Sequence, residues 1–390
     1  MSMNQNPPNC IGKLHRPRYG SSRGVSLIEL MIALVLGLLL VGGILQLFMG
    51  SRMTYQSTEA VARVQENGRF VMSFIEPELR AAGSSGFCAG DIAITNHLDL
   101  ADDEAELLFD ASAAIAGWEF DGTGRGENYS ITTLDPAASL NSWSGSAAPP
   151  SALAGKVVPG TDILMLRNLE LQADITGDVN ASNNPQATSV VTQINHGVPQ
   201  CTIALITNCA SGADLFQSTT AGSRDLDRES GCTPGNRTGG SRLDWSTSYA
   251  DDMQLYLPRT RIYFIGQDSV TEEPGLYRMD MVQGSGVTQT EQLVSGIENM
   301  QVLYGLSLPA SLGGDGQYVD EWLTADQVGS WNLIIAARVS FLVRSQENVS
   351  GAAVTQTYNL AGTNVSGPSD RRLRQAFSTT VAVRNRLLVN

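Results

Sequence analysis

Residues 30–51 (LMIALVLGLLLVGGILQLFMGS) carry no charged side chain, and Leu30 to Leu45 is almost wholly aliphatic apart from Gly37, Gly42 and Gly43. At about 1.5 Å per residue this run rises about 33 Å as a helix, enough to cross a hydrocarbon core. Arg16, Arg18 and Arg23 precede it while Arg52 stands nearly alone after it. The positive-inside bias therefore keeps the N-terminus cytoplasmic and exports everything beyond about residue 52. The apolar run passes into Gln46, Arg52, Gln56 and Glu59 without a small-x-small site, so cleavage on the far side is not expected. Val61, Val64, Phe70, Val71, Phe74, Ile75 and Leu79 continue at close to helical spacing. One helix is expected from Val25 to about Ala82, bending at Gly42-Gly43 and kinked or restarted by Pro77 near Glu76.

From Gly83 onward the pattern becomes short apolar runs between Gly, Ser, Asn, Asp and Pro clusters, which predicts strands and long loops. The clearest strands are 162–167, 254–265, 276–281, 300–306, 333–344, 355–360 and 377–388. Val339, Phe341 and Val343 alternate with Arg338, Ser340 and Arg344, predicting one buried and one wet face. The fold class expected is α+β: a long N-terminal helix packed on a β-rich, antiparallel globular domain with long loops. Residues 135–155 and 209–252 are poor in core residues and read as long loops. No internal repeat and no linker to a second globular domain stands out.

The 390 residues suffice for a sizeable core. The formal charge is −14, and residues 1–24 hold Lys13, Arg16, Arg18 and Arg23 with no acid, so the rest carries −18. That balance argues against a nucleic-acid partner. One residue does not fit a plain membrane anchor: Glu29 lies at the start of the apolar helix. A carboxylate there costs about 2.5–3.5 kcal/mol on insertion scales and calls for a partner.

Gly24-Val25-Ser26-Leu27-Ile28-Glu29-Leu30 resembles the processing site of type IV prepilins, with Val25 where Phe is commoner. The resemblance implies cleavage after Gly24 by a prepilin peptidase and methylation of the new Val25 amine. It also implies that the N-terminal ammonium of a neighbouring subunit neutralises Glu29, which sets subunit register. Four further segments are similar to PilW-type minor pilins: Glu78 to Gly83 continuing through Gly86-Phe-Cys88, Leu293 to Gly305, Trp331 to Ser345, and Arg371 to Phe377 with Val383 to Arg386. They cover the first 90 residues and most of 290–390, and hardly touch 90–290.

The resemblance implies three parts: a cytoplasmic leader 1–24 that is removed, a pilin helix 25–82 whose half 25–51 crosses the membrane, and an exported domain 83–390. Such a protein is a non-catalytic minor pilin without cofactors. It sits in the inner membrane with its C-terminal domain periplasmic and then passes into the pilus at the cell surface. Its implied role is initiation of pilus assembly and the tip complex, in support of twitching motility and cell adhesion. The implied partners are the prepilin peptidase, other minor pilins, the major pilin, a tip adhesin, the inner-membrane pilus assembly machinery and the lipid bilayer. In a filament, Gly42-Gly43 is expected to let the helix unwind locally. A J-type pseudopilin of a type II secretion system and a pilus-displayed adhesive or ligand-binding module are the alternatives.

With Cys10 in the leader, Cys88, Cys201, Cys209 and Cys232 remain, an even number for an oxidising compartment. Proximity in the chain favours Cys201 with Cys209 and Cys88 with Cys232, and Cys209 with Cys232 would instead staple a Ser/Gly-rich loop. No CxxC and no nearby His pair suggests a metal. His97 and His196 lack a neighbouring nucleophile motif and read as surface loop residues. The Gly155-Lys156 pair lacks the rest of a phosphate loop. Asp174, Asp178, Asn180 and Asn183, like Asp225, Asp227 and Glu229, read as solvated turns rather than calcium loops.

Overall fold

A single α-helix runs over Leu27–Ala81 in the computed structural model, which describes residues 24–83, 93–100, 114–174, 186–281, 288–349 and 352–383, apart from 193, 211, 242, 248 and 250–252. The helix passes through Gly42, Gly43 and Pro77 without ending. Pro77 does not restart it because the following turn is held from outside. Leu79 is fully buried, and Glu78 accepts two bonds from Arg261 Nη1 (2.8 and 2.7 Å).

Residues 1–55 and 56–390 are separate compact units. In the first, the described residues from Leu27 on are helix with exposed apolar side chains, and the most apolar 18-residue window has a mean hydropathy of 2.6 with none of it buried. By length and composition this helix can cross a membrane.

In the second unit Ala60, Val64, Gly68, Val71, Ile75 and Leu79 form one buried stripe at three- and four-residue spacing. The stripe packs on Val302, Tyr304, Val339, Phe341, Val343 and Val381. Gly68 is a docking point: a Cβ there would lie 2.2 Å from the Phe377 ring. Val61, Phe70 and Phe74 were expected on this stripe but are 38%, 52% and 36% exposed. Their azimuths differ from the line through Val64, Val71 and Ile75.

The sheet under the helix is antiparallel, in the order Glu321–Leu323, Ile297–Leu306, Ile334–Asn348, Arg372–Ala382. Its other face is covered only in part, with Ala376, Ser378 and Thr380 of the last strand exposed. Leu342 packs with Ile131, Leu360 and Val365, residues contributed in part by a three-stranded sheet of Thr357–Leu360, Thr363–Ser366 and Asn128–Ser130. Ser340 is buried against Ser378, and Arg344 is buried against Glu298 and Glu273. The alternation in this strand thus separates the face under the helix from one that is covered at Ser340, Leu342 and Arg344 and open at Arg338.

Among the described residues a second, larger sheet has nine strands. Its path runs Ile94–Asn96, Ala213–Ser218, Thr202–Thr207, Gln254–Gln267, Ile163–Asp174, Ile115–Phe120, Trp143–Gly145, and Pro274–Met281 and Thr288–Ser295 extend it from Gln254–Gln267. The expected loop at 209–252 is wrong in part, because Ala213–Ser218 is a fully buried strand. Phe216, Leu226, Trp245 and Tyr249 build a core of their own there with Val190 and Ile206. The stretch 135–155 likewise contributes buried Trp143 and Leu153. Both stretches contain too few apolar residues per length to show a period, yet their tryptophans are inside, while Leu243 stays exposed.

Candidate functional site

The helix start is built by two side chains. Leu30 N–H donates to Ser26 O (3.1 Å), so Ser26 is the residue on which the helix closes. Glu29 N–H donates to Ser26 Oγ (3.3 Å), and Ser26 N–H donates to Glu29 Oε2 (3.4 Å). This reciprocal pair is a capping box, and the Ser-x-x-Glu spacing announces it in the sequence. Gly24, Val25 and Glu29 are all exposed. The carboxylate therefore has a local partner, but only a neutral one.

The cysteines depart from the expected pairings. Cys201 is bonded to Cys232, with 5.4 Å between their Cα atoms. Cys201 and Cys209 flank the strand Thr202–Thr207, and six extended residues hold them about 20 Å apart, far beyond disulfide reach. The hairpin with Ala213–Ser218 brings Cys201 beside Ser218. Buried Gln217 then draws in the Cys232 segment, donating to Cys201 O (2.8 Å) and Thr233 O (3.0 Å) and accepting from Gly235 N–H (2.8 Å). Cys209 is also disulfide-bonded, not to Cys201 or Cys232. Cys88 lies outside the described residues.

Neither histidine is a surface residue. His97 is 1% exposed and His196 3%. Arg228 Nη1 donates to His97 Nδ1 (2.6 Å), and His97 Nε2 donates to Asp214 Oδ1 (2.6 Å). A guanidinium cannot accept, so Nδ1 carries a lone pair and the ring is neutral. Burial first, and the Arg228 charge as well, lower the pKa of His97, against the pull of Asp214. Arg228 lies 3.8 Å over the Trp245 ring. Asp214 also accepts from Ser246 Oγ (2.6 Å) and from the Tyr249 hydroxyl. Ser246 thus bonds the acid rather than the imidazole, so it and His97 do not form a nucleophile–base pair. His196 accepts from Val198 N–H at Nδ1 (3.0 Å), and burial lowers its pKa too.

A second buried constellation escapes sequence reasoning entirely. Glu119 (4% exposed) and Asp162 (2%) meet beneath fully buried Tyr304. Asp162 accepts from Val302 N–H (2.7 Å) and Phe120 N–H (3.4 Å), and Glu119 Oε1 accepts from Thr123 (2.9 Å). Glu119 Oε2 and the Tyr304 hydroxyl have no hydrogen-bond partner among the described residues. A proton between the two carboxyls lets them bond to each other, a bond that raises Asp162 and lowers Glu119, so the pair shares one proton. Burial pushes Glu119 up to about 7. Burial, and then the Glu119 charge, raise Asp162 as well.

Among the described residues no three His, Cys, Asp or Glu side chains converge as a metal site. Asp225 and Asp227 belong to a strand paired with Ser189–Val191, not to a turn, and 178–183 lie outside the described residues. On the sheet face away from the helix, a cleft of about 420 Å³ is lined by Arg125, Trp322, Arg338, Ser340, Asn359 and Ser378 among others.

Residues 262–385 match the family model of the Type IV Pilus-assembly protein W, PilW, and residues 20–45 match the Prokaryotic N-terminal methylation motif. No curated protein and no solved structure matches the chain. The first match covers the four-stranded sheet, two strands and the end of a third from the larger one, and two strands of the three-stranded sheet. The second covers the capped helix start with Gly24, Val25 and Glu29.

Proposed function

We propose that this chain, which carries a PilW domain and a pilin-type methylation motif, is a minor pilin that initiates type IV pilus assembly and stays in the tip complex. The observation that supports it is the joining of the two matches in one chain: the motif lies on an exposed apolar helix, and the PilW match lies on the sheet that holds the same helix from Ala60 to Leu79. The role is structural, not catalytic.

The helix crosses the inner membrane once, N-terminus in the cytoplasm, with the β-rich domain periplasmic and later on the filament. The prepilin peptidase cuts between Gly24 and Val25, and the Val25 amine is methylated. Glu29 then exchanges the neutral Ser26 N–H for a neighbouring subunit's ammonium, because a charge-assisted bond is the stronger one and an unpaired carboxylate is costly in lipid. Other minor pilins, the major pilin and the inner-membrane assembly machinery are the partners.

The test is surface pilus abundance in a deletion strain and its complemented parent, with type II secretion assayed in the same cultures. Loss of pili with intact secretion is expected. Normal pili with failed secretion would transfer the chain to the J-type pseudopilins. A Glu29→Ala variant is expected to be cleaved and anchored yet depleted from sheared filaments, and its normal recovery there would remove Glu29 from register.

A further inference from the structure

The cleft of about 420 Å³ lies in the size range of small-ligand sites. Its floor is the outer face of the four-stranded sheet and its rim is the turn between Thr357–Leu360 and Thr363–Ser366. Most arginines of the second unit with an ion pair are bound to acids, as Arg261, Arg278, Arg344, Arg372 and Arg374 are. Arg224 and Arg237 bond to backbone carbonyls instead, and Arg125 and Arg338 are set apart by where they lie. Neither has a carboxylate partner among the described residues, in a chain with 39 acids to 25 Lys and Arg, and both line this one cleft.

Arg338 is held ready. Its Nε donates to Thr380 Oγ1 (3.1 Å), and its guanidinium carbon stands 4.6 Å from the Trp322 ring centroid. That leaves both terminal nitrogens without a hydrogen-bond partner among the described residues and the planar group oriented, which reduces the ordering cost of binding. Arg125 passes over Gly362, where a Cβ would come within 2.8 Å of Arg125 Cγ and where φ is +105°. The nearest acid in the chain, Glu127, is turned to Gly124 N–H (2.9 Å). Hydroxyls line the same cleft: Ser340 Oγ donates to Ser378 Oγ (2.9 Å), which leaves the Ser378 proton free.

We propose that this cleft binds a carboxylated sugar, its carboxylate taken by Arg125 and Arg338 and its hydroxyls by Ser378 and Asn359. Guanidinium forks match a planar carboxylate, and a lining that mixes Ser340, Ser378 and Asn359 with Leu303 and the Trp322 ring suits a sugar, whose edges are hydroxylated and whose faces are apolar. This rests on the assembly reading only for where the sugar is met, on the exported face.

The test is titration calorimetry of the full chain in detergent with galacturonate, galactose and inorganic phosphate, for the wild type, Arg125→Gln and Arg338→Gln. Galacturonate is expected to bind, more weakly as salt rises, and galactose, which lacks the charge, and phosphate, which lacks the ring and its hydroxyls, are each expected to bind at least ~tenfold more weakly. Each variant is expected to lose about tenfold or more. Arg125 is exposed, so an unchanged melting temperature for Arg125→Gln separates lost binding from lost folding. Phosphate binding as tightly as galacturonate, no galacturonate binding, or binding unchanged in both variants would each overturn the proposal. Pilus counts in the Arg125→Gln strain are expected to stay parental. Lost binding beside normal pili therefore speaks to the cleft, and lost pili in the deletion strain to assembly.

Discussion

Two buried residues titrate against each other's interest. His97 is neutral in the fold and its pKa is lowered, so the unfolded chain takes up a proton that the native site refuses. The stability it supplies is present above about pH 6.5 and is lost as pH falls below that value. Glu119 works in the opposite sense. Its pKa rises from 4.5 to about 7, so its stabilisation is full below about 4.5 and is lost as pH climbs through 7. That shift corresponds to on the order of 3 kcal/mol across the window. In Glu119→Gln an amide donor replaces the shared proton. Melting curves from pH 5 to 8 should therefore show the wild type losing stability relative to this variant, and a constant difference would remove the shared proton. For His97→Asn, a lower stability at pH 8 with a flatter decline toward pH 5 is expected.

At the scale of elements, the helix depends on a close approach rather than on propensity. Gly68 lets the Phe377 ring lie where a Cβ would be, 2.2 Å away. Gly68→Ala gains helix propensity by about 1 kcal/mol but drives an aromatic ring out of a packed site, a cost of about 1–3 kcal/mol. Net destabilisation in urea is expected, with partial relief when Phe377→Leu is added; a stabilised Gly68→Ala would mean that the ring moves freely. The helix and the long apolar strands are legible in the sequence because their period or their run length is local: 254–265 and 333–344 fall within observed strands to within a few residues. Thr202–Thr207 (TIALIT) was equally plain, and reading it as a strand excludes Cys201–Cys209 at once. The Ser26–Glu29 box was legible too. The buried networks were not: His97 meets Asp214 and Arg228 across 117 and 131 residues of chain, and such pairings leave no local pattern. Tertiary burial also turns Ser340 and Arg344 inward, against the polar-out rule.

Across the folded unit as a whole, two devices tie distant pieces together, and they should fail differently. The Cys201–Cys232 bond closes a loop with a separation of 31, worth about 3–4 kcal/mol in chain entropy. It lies beside the core of Phe216 and Trp245, and Cys201→Ala with Cys232→Ala should loosen that region. The other device is ionic. Glu298, fully buried, accepts from Arg374 Nε (2.6 Å) and Arg344 Nη1 (3.3 Å); Arg344 and Arg372 reach Glu273 (3.0 and 3.2 Å), which precedes a strand of the larger sheet, and Asp370 holds Arg374 with two bonds of 2.7 Å. Replacing all of these charges with apolar residues need not be harmful, since a buried pair roughly repays its own desolvation. Removing one partner is another matter. Glu298→Ala leaves two guanidiniums facing a dry cavity and is expected to cost about 3–5 kcal/mol, while Glu273→Ala, at the partly exposed end, should cost well under half of that. Chemical denaturation of the two variants side by side checks the order. Equal losses would mean that the connection between the sheets, not the buried acid, carries the strain of keeping them together.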